Sequence, residues 1–200
     1  HDLFAETWRQ VEPMVGLVDA QHIDGIEMTF FEVMTAMAFA AFADAPVDVA
    51  VVEVGLGGRW DATNVADANI AVVTPVAMAP LPLLGESRAK IAAEKAAIMK
   101  PGCTPGIAGQ EAEAAPVLLA QCADAGVKPL LEGPDWGLLD RRSAIGGQVL
   151  RIQTASGPLG ELFLPVYGEQ MAHNAAQAVG ALEALTGPLH PAIIEQGLTA

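Results

Sequence analysis

Apolar residues recur at helical spacing over the first twenty positions of the chain. This spacing predicts a helix over residues 3–21, although Pro13 lies inside it. Thr29 then stands three residues before Glu32, the arrangement of a capping box, in which each side chain bonds the other residue's backbone N–H. The stretch that follows, up to Phe42, is rich in Ala, Met and Phe and predicts a second, buried helix.

Two later runs are apolar at nearly every position and rich in β-branched residues. Residues 47–54 and 70–75 therefore predict strands buried on both faces, as in parallel sheets. The elements predicted after them alternate in type: a helix over 86–99, a strand over 105–108, a helix over 110–125 and a strand over 127–131. This order predicts an α/β fold, a doubly wound, mainly parallel sheet with flanking helices.

The pattern changes after Gly133-Pro134. Short runs with partial alternation of apolar and polar residues lie over 136–142, 148–154 and 161–166. We expect them to form a small antiparallel β meander at about 134–168. An Ala-rich helix over 170–185 and a further helix from Pro188 follow it.

Acidic residues outnumber basic ones by 24 to 10, which gives the 200-residue chain a formal net charge of −14. Without a basic patch to face phosphates, a nucleic-acid partner is excluded, and an anionic substrate would need a metal ion or a few well-placed cations. No apolar run approaches the about 20 residues of a membrane span, so we expect no membrane partner. The two cysteines, Cys103 and Cys122, lack the spacing of a disulfide framework or zinc site. They fit a cytoplasmic protein.

Candidate chemistry concentrates in residues 53–64. Glu53 stands at the carboxyl end of the first predicted strand, and three glycines and several polar residues follow within a few positions. Glycines let the backbone turn sharply and approach a ligand closely, and in open α/β sheets ligands bind beyond the carboxyl ends of strands. The glycine spacing alone also fits a strand-to-loop turn with a solvated polar rim.

Five strings in the chain are informative: TFFEVMTAMAFAAFA at 29–43, VVEVGLGGRWDATN at 51–64, IAAEKAAIMKPG at 91–102, GGQVLRIQ at 146–153 and LPVYGEQMAHNAAQA at 164–178. Together they resemble the folylpolyglutamate synthase / dihydrofolate synthase branch of the Mur ligase superfamily, and most closely its actinobacterial members. The resemblance implies the Mur ligase central domain. It also implies an ATP-dependent ligase that adds L-glutamate to dihydropteroate or folate through an acyl phosphate, with Mg²⁺ as cofactor. It further implies a monomer.

The resemblance assigns two residues to the reacting centre. Glu53 matches a magnesium-binding glutamate, and a hard oxygen ligand suits an ion that bridges ATP phosphates. Lys95 matches a lysine that the family carbamylates and that acts in catalysis. Carbamylation needs a neutral amine, so the lysine must be removed from water or otherwise have a lowered pKa. The residues themselves leave alternatives open: a solvated acid at a strand end for Glu53, and an exposed helical lysine beside Glu94 for Lys95.

Other matched residues would bind the substrates. The pterin contacts implied by the resemblance are Thr29, Phe30, Phe31, Glu32, Trp60, Asp61 and Ala62. Aromatic faces suit a flat heterocycle, and Asp61 could accept hydrogen bonds from the pterin amine. Core packing of Phe30 or Phe31 is an equal alternative. Asn174 matches an ATP-contacting asparagine, although a polar residue near a helix start is common.

The sequence departs from the family in two places. The family's Asp-His pair, whose histidine is a metal ligand, is replaced by Ala79-Pro80, and proline cannot ligate a metal. The family's Gly-Glu-His-Gln run reads Gly168-Glu169-Gln170-Met171 here. His173 lies nearby, at a different place in the motif, and we expect it to serve local structure.

The 200 residues contain no GxxxxGK[ST] phosphate loop, which the family carries upstream, and we expect the C-terminal ligase domain to begin beyond Ala200. The first residues lack Met and any signal-peptide pattern. We therefore expect residues 1–200 to be a fragment of the central, ATP-binding domain that does not turn over by itself. Two other interpretations stay open: a degenerate, non-catalytic homologue that binds a pterin or a protein partner, and a Mur-type ligase acting on a cell-wall precursor.

Overall fold

A computed structural model describes residues 2–45, 47–78 and 85–200. The chain divides into two compact units. The first contains the residues up to Leu56 together with Trp60–Ala66, and the second contains Gly57–Arg59 and Asp67–Ala200. None of the helices in the described ranges is both long and apolar enough to cross a bilayer.

The first unit is built on two helices in contact. Helix α1 spans Asp2–Asp19 with Pro13 inside it, and helix α2 spans Phe30–Asp44. Asp19 accepts a hydrogen bond from the Met28 N–H at 2.8 Å, which ties the end of α1 to the segment before α2. Short 3-10 turns lie at Ile23–Gly25 and Ala62–Val65. Both helices are present as predicted, but the prediction that the second is buried is wrong: of the residues of α2 only Thr35 and Met37 are buried, and Phe30, Phe31 and Phe42 are exposed.

The predicted capping box at the start of α2 is confirmed. The Glu32 N–H donates to Thr29 Oγ1 at 3.3 Å, and the Thr29 N–H donates to Glu32 Oε2 at 2.7 Å. The Thr29 hydroxyl also donates to Glu32 Oε2, at 2.7 Å. Hydrogen bonds from the Thr29 hydroxyl and N–H lower the pKa of Glu32. The box satisfies backbone donors that have no partner within the helix.

The predicted buried strand over residues 47–54 is wrong. These residues form no strand, and all of them are exposed except Val54, which is half-buried. A parallel strand is held by hydrogen bonds to its neighbours, and no strand among the described residues lies beside this segment. The apolar, β-branched pattern of residues 47–54 therefore indicates a preference for extended backbone. It does not show that a neighbouring strand is there to pair with.

The second unit contains the predicted parallel sheet. Its strands are β1 (Ile70–Val73), β2 (Thr104–Ile107) and β3 (Leu130–Leu131), paired in that order, with Ile70 opposite Thr104 and Gly106 opposite Leu130. The flanking helices are α3 (Arg88–Ala96) and α4 (Ala115–Ala125). Helix α4 begins five positions later than predicted. Pro116 lies in its first turn, where the fixed φ of proline favours a helix start.

The predicted meander is also present. Strands β4 (Gly137–Ala144), β5 (Gly147–Thr154) and β6 (Gly157–Leu164) pair antiparallel in sequence order. Helices α5 (Glu169–Thr186) and α6 (Pro191–Thr199) follow. The α/β fold, with a parallel sheet, flanking helices and an added antiparallel sheet, is confirmed.

Two hydrophobic clusters form the core of the second unit. One joins the parallel sheet to α3 and α4 and includes Ile91 and Leu118, both fully buried. This cluster also contains Cys103, Cys122 and Met99, and the Cys122 thiol lies 3.7 Å from Met99 Sδ. Burial raises the pKa of both cysteine thiols. The other cluster joins the meander to α5 and α6.

Small residues on α5 allow this helix to lie close to its neighbours. A Cβ at Gly180 would lie only 3.0 Å from Trp136 Cβ and Cγ, so even a methyl group there would need the Trp136 side chain to shift by a few tenths of an ångström. Ala176 and Ala172, one and two turns earlier, are fully buried. Helix α5 contacts both the meander and the parallel sheet.

Leu150→Ala should destabilise the protein by about 2–5 kcal/mol, because Leu150 is fully buried in the second cluster and truncation leaves a cavity. Leu139→Ala on the neighbouring strand is the matched control, since that side chain is 51% exposed. It should cost under about 0.5 kcal/mol. Urea unfolding of both variants measures the difference, and equal losses would contradict the core assignment.

Candidate functional site

In the first unit, the backbone at Gly55 brings together an aromatic ring and a carboxylate. A Cβ built at Gly55 would lie 2.6 Å from Phe31 Cζ and 3.1 Å from Asp61 Oδ2. Only a residue without a side chain allows both groups to approach the backbone this closely. The structure thus brings together Phe31 and Asp61, which were predicted from two separate segments.

The Asp61 carboxylate shapes the loop that carries it. Oδ2 accepts the Leu56 N–H at 2.8 Å, and Oδ1 accepts the Thr63 N–H at 3.0 Å and the Thr63 hydroxyl. Partial burial acts to raise the pKa of Asp61. Hydrogen bonds to the ionised carboxylate outweigh this effect and lower the pKa of Asp61. They come from the Thr63 hydroxyl and from the backbone N–H groups of Leu56, Thr63 and Gly55. Asp61 is therefore an ionised acceptor at neutral pH, with most of its lone pairs engaged.

The remaining predicted pterin residues differ in what their side chains can offer. Phe30 is 81% exposed and Trp60 is 87% exposed, so neither ring packs into a core within the described residues. Thr29 and Glu32 bond each other in the capping box. Ala62 starts the 3-10 turn beside Asp61. The unit thus exposes the rings of Phe30 and Trp60. Thr29 and Glu32 stabilise the start of α2, which carries Phe30.

In the second unit, the glycine-rich loop packs directly on α3 at the position of Lys95. A Cβ at Gly58 would lie 2.7 Å from the Glu94 carbonyl oxygen and 3.2 Å from Lys95 Cα. The Arg59 N–H donates to the same Glu94 oxygen at 2.9 Å, and Arg59 Nη2 donates to the Ala93 carbonyl at 3.4 Å. The close approach at Gly58 therefore fixes the loop against the helix backbone.

Lys95 does not pair with Glu94, its neighbour in sequence. The Glu94 carboxylate lies 3.4 Å from Arg59 Nε instead. Lys95 is half-buried, and within the described ranges its amine makes no hydrogen bond or ion pair. The lysine is thus partly removed from water and not neutralised by the adjacent acid.

Side chains at the carboxyl ends of the parallel strands form a connected polar network. Gln110 donates to the Thr74 carbonyl at 3.1 Å, and its Oε1 accepts the Val76 N–H at 2.9 Å. Glu132 Oε2 accepts the Gly109 N–H at 2.7 Å, and Glu132 Oε1 lies 2.6 Å from His173 Nδ1. These bonds tie the loops after β1 and β2 to the end of β3 and to α5.

Gln177 completes this network from inside the unit. It is buried, and its Nε2 donates to the Val73 carbonyl at 3.1 Å and the Gly106 carbonyl at 3.3 Å. The sequence analysis missed Gln110, Glu132 and Gln177. A usable signal was present for two of them, because Gln110 and Glu132 each come shortly after a predicted strand, at the edge where α/β sheets bind ligands.

Asn174, the predicted ATP contact, is half-buried on α5. Its Oδ1 accepts a hydrogen bond from Gln170 Nε2, one turn earlier, at 3.0 Å. Gln170 stands where the family has a histidine, and here it orients the amide of Asn174. With its oxygen engaged, Asn174 has its amide N–H groups to offer to a ligand.

A magnesium site is only partly provided by the described residues. Among them, no group of three or more metal-ligating side chains lies together. Glu53 is an exposed carboxylate in the first unit. Magnesium bound with nucleotide phosphates and waters needs only one or two protein carboxylates, so Glu53 fits that role. Ala79-Pro80, where the family has Asp-His, lies outside the described residues.

No protein-family model matches the chain. Among curated proteins, it is 45% identical over 195 residues to the dihydrofolate synthase/folylpolyglutamate synthase of Mycobacterium tuberculosis, covering 92% of this chain and 40% of that protein. It is 33% identical over 177 residues to the folylpolyglutamate synthase of Lacticaseibacillus casei, covering 86% and 41%. The chain thus spans about two fifths of the length of these relatives.

Solved structures agree with these relatives. The Mycobacterium tuberculosis folylpolyglutamate synthase complexed with ADP and AMPPCP gives a TM-score of 0.94 at 44% identity, covering 99% of this chain and 46% of that one. An FPGS–AMPPCP–folate complex gives 0.88 at 31% identity, covering 97% and 48%. The apo form of L. casei FPGS gives 0.89 at 30% identity, covering 98% and 48%.

Gly58→Ala should destabilise the protein by about 1–3 kcal/mol, because the new methyl group would meet the Glu94 carbonyl, a backbone atom that cannot easily move. Gly160→Ala is the control, since nothing lies within 4 Å of a Cβ at that position. It should change stability by under about 0.5 kcal/mol. Chemical denaturation measures both, and a harmless Gly58→Ala would show that the loop does not pack on α3.

The contribution of Asp61 to stability should depend on pH. Its pKa is lowered from 3.8 in the folded protein, so the stabilisation is present above that value and is lost as the pH falls through the folded pKa. The difference in unfolding free energy between wild type and Asp61→Asn should therefore be largest near neutral pH and shrink in acid. Unfolding curves over a pH series test this. A difference independent of pH would contradict the assigned hydrogen bonds.

Proposed function

We propose that this chain belongs to the folylpolyglutamate synthase / dihydrofolate synthase family and is part of an ATP-dependent ligase that adds L-glutamate to dihydropteroate or folate. The observation that carries the proposal is the similarity to a folylpolyglutamate synthase complexed with ADP and AMPPCP, at 44% identity and a TM-score of 0.94. That similarity extends over 99% of the chain. We further propose a monomeric, cytoplasmic protein.

The proposed reaction has two steps. A carboxylate oxygen of the pterin substrate attacks the γ-phosphorus of ATP, the bond to the β–γ bridging oxygen breaks, and ADP leaves. The amine of glutamate then attacks the acyl carbon, phosphate leaves, and the amine loses a proton as the amide forms. Both steps require positioned anions, which the net charge of −14 on these 200 residues repels. Nucleotide binding should therefore depend on divalent cations.

Glu53 is the residue that would hold magnesium in this scheme. When bound, the ion neutralises charge on the ATP phosphates. Glu53 is exposed and is a hard oxygen donor, as that role requires. Two observations support carbamylation of Lys95. The residue is half-buried, and removal from water disfavours the charged form of an amine. The pairing of Glu94 with Arg59 keeps the adjacent carboxylate from binding that amine.

The first unit would bind the pterin. Phe30 and Trp60 offer open aromatic faces, and Phe31 lies with Asp61 at Gly55. The loop bonds of Asp61 leave it ionised, with little acceptor capacity to spare. We therefore assign recognition mainly to the rings, and assign the shaping of the loop to Asp61. Asn174 would contact ATP through its amide N–H groups.

A second candidate is a non-catalytic homologue that binds a pterin or a protein partner. Ala79-Pro80 favours it, since the family's histidine ligand is missing and loss of a metal ligand weakens transition-state stabilisation. The two candidates differ in product formation, and the pterin-binding form of the second shares pterin binding with the ligase.

The protein that contains these residues should release ADP in repeated turnovers only when ATP, magnesium, L-glutamate and dihydropteroate or a folate are all present. Glu53→Gln should lower this rate by at least about tenfold, because one protein ligand of the ion is lost. Asp48→Asn, an equal loss of charge in the same exposed segment, should change it little. A coupled ADP assay, with mass spectrometry of the product, measures both variants.

Pterin and nucleotide binding without any glutamylated product would favour the non-catalytic homologue. Equal effects of the two substitutions would remove Glu53 from the metal site. Turnover with a cell-wall precursor in place of the pterin would redirect the proposal to another substrate class.

A further inference from the structure

His173 and Glu132 form a pair at the carboxyl edge of the parallel sheet to which the family resemblance assigns no role. His173 Nδ1 lies 2.6 Å from Glu132 Oε1, and Glu132 Oε2 accepts the Gly109 N–H. The Glu132 side chain is only 16% exposed. With both oxygens of Glu132 accepting, Nδ1 is the ring nitrogen that carries the proton, and in the neutral ring Nε2 is then an acceptor.

The acceptor nitrogen is open to a ligand. The His173 side chain is 39% exposed, and Nε2 makes no hydrogen bond with any described residue. A fixed tautomer with an accessible Nε2 is the arrangement of a histidine prepared to accept one hydrogen bond.

The position of the ring agrees with a ligand site. Gln177 lies one turn further along α5 on the same face, and it bonds the carbonyls of Val73 and Gly106 near the ends of β1 and β2. His173 therefore faces the edge beyond those strands, where open α/β sheets bind ligands. Asn174, the proposed ATP contact, is the next residue.

Stability does not explain the pair well. Helix α5 is already held by the buried bonds of Gln177, by the close packing of Gly180 on Trp136 and by its apolar face. A partly exposed pair at the first turns of this helix adds little to such contacts. The position and tautomer of the ring are what the pair determines.

We propose that His173 binds the nucleotide, with Nε2 accepting a hydrogen bond from a hydroxyl or amino group of its nucleoside part. Glu132 is a positioning residue that fixes the tautomer of the ring. The inference rests on the proposed function, since it takes ATP as the ligand. It replaces the expectation that His173 serves local structure alone.

The test uses His173→Asn in the protein that contains this chain. The asparagine amide can reach Glu132 in place of Nδ1 but offers no acceptor at the Nε2 position. His22→Asn, in the exposed turn after α1, is the matched control. Binding of ATP, 2′-deoxy-ATP, 3′-deoxy-ATP and inosine triphosphate is measured by calorimetry with magnesium. The three analogues each lack one candidate donor of the nucleoside.

His173→Asn should weaken ATP binding by about 2- to 13-fold, the range for one lost hydrogen bond, with His22→Asn unchanged. One analogue should bind equally to wild type and His173→Asn, which identifies the donor as a ribose hydroxyl or the amino group. Unchanged ATP affinity in His173→Asn, or the same loss for ATP and all three analogues, would overturn the inference.

Nitrogen-15 NMR of the histidine rings gives a readout that does not depend on nucleotide. Neutral His173 should show the proton on Nδ1, and a proton on Nε2 would overturn the inference. If the wild-type protein binds no ATP with magnesium, the proposed function fails and the inference fails with it. If wild type binds ATP and the tautomer or the variant result is wrong, only the inference fails.

Discussion

The carbonyl and N–H groups at the carboxyl ends of the parallel strands need hydrogen-bond partners, and three side chains supply them. Gln110 bonds the loop after β1, Glu132 bonds the loop after β2, and Gln177 bonds carbonyls of β1 and β2. Unpaired backbone groups at such an edge would cost about 1–3 kcal/mol each if buried. Because these side chains come from different elements, the same bonds that satisfy the backbone also bring His173 to the edge.

The glycine-rich segment at residues 55–58 contributes to both units, because its glycines have no side chain and let other groups lie close to the backbone. At Gly55 the backbone admits Phe31 and Asp61, and at Gly58 it admits the last turn of α3. The Arg59–Glu94 pair beside Gly58 is partly exposed, with 46% and 25% of the side chains accessible, and is worth at most about 1 kcal/mol. The steric fit at Gly58 and the backbone bond from Arg59 therefore hold the loop more firmly than the charges do.

The sequence could predict the elements whose signals are local. The capping box at Thr29, the helical spacing of α1 and the alternation in the meander depend on neighbours within a few positions, and all agree with the structure. The strand predicted over residues 47–54 is wrong because a strand needs a neighbouring strand to pair with, and a local sequence pattern does not show whether one is present. Phe31 and Asp61 could be proposed as one site only through family resemblance. The bond between Glu132 and His173, 41 positions apart, depends on how α5 returns to the sheet.

The packing of α5 limits how its sequence can vary over time. Ala172, Ala176 and Gly180 follow one another at one-turn intervals on the buried side, and Trp136 lies so close to Gly180 that a Cβ there would be in tight contact with it. Larger side chains at these positions would push the helix away from both sheets. We therefore expect substitutions in this helix to be tolerated mainly at exposed positions such as Met171, Ala178 and Leu182.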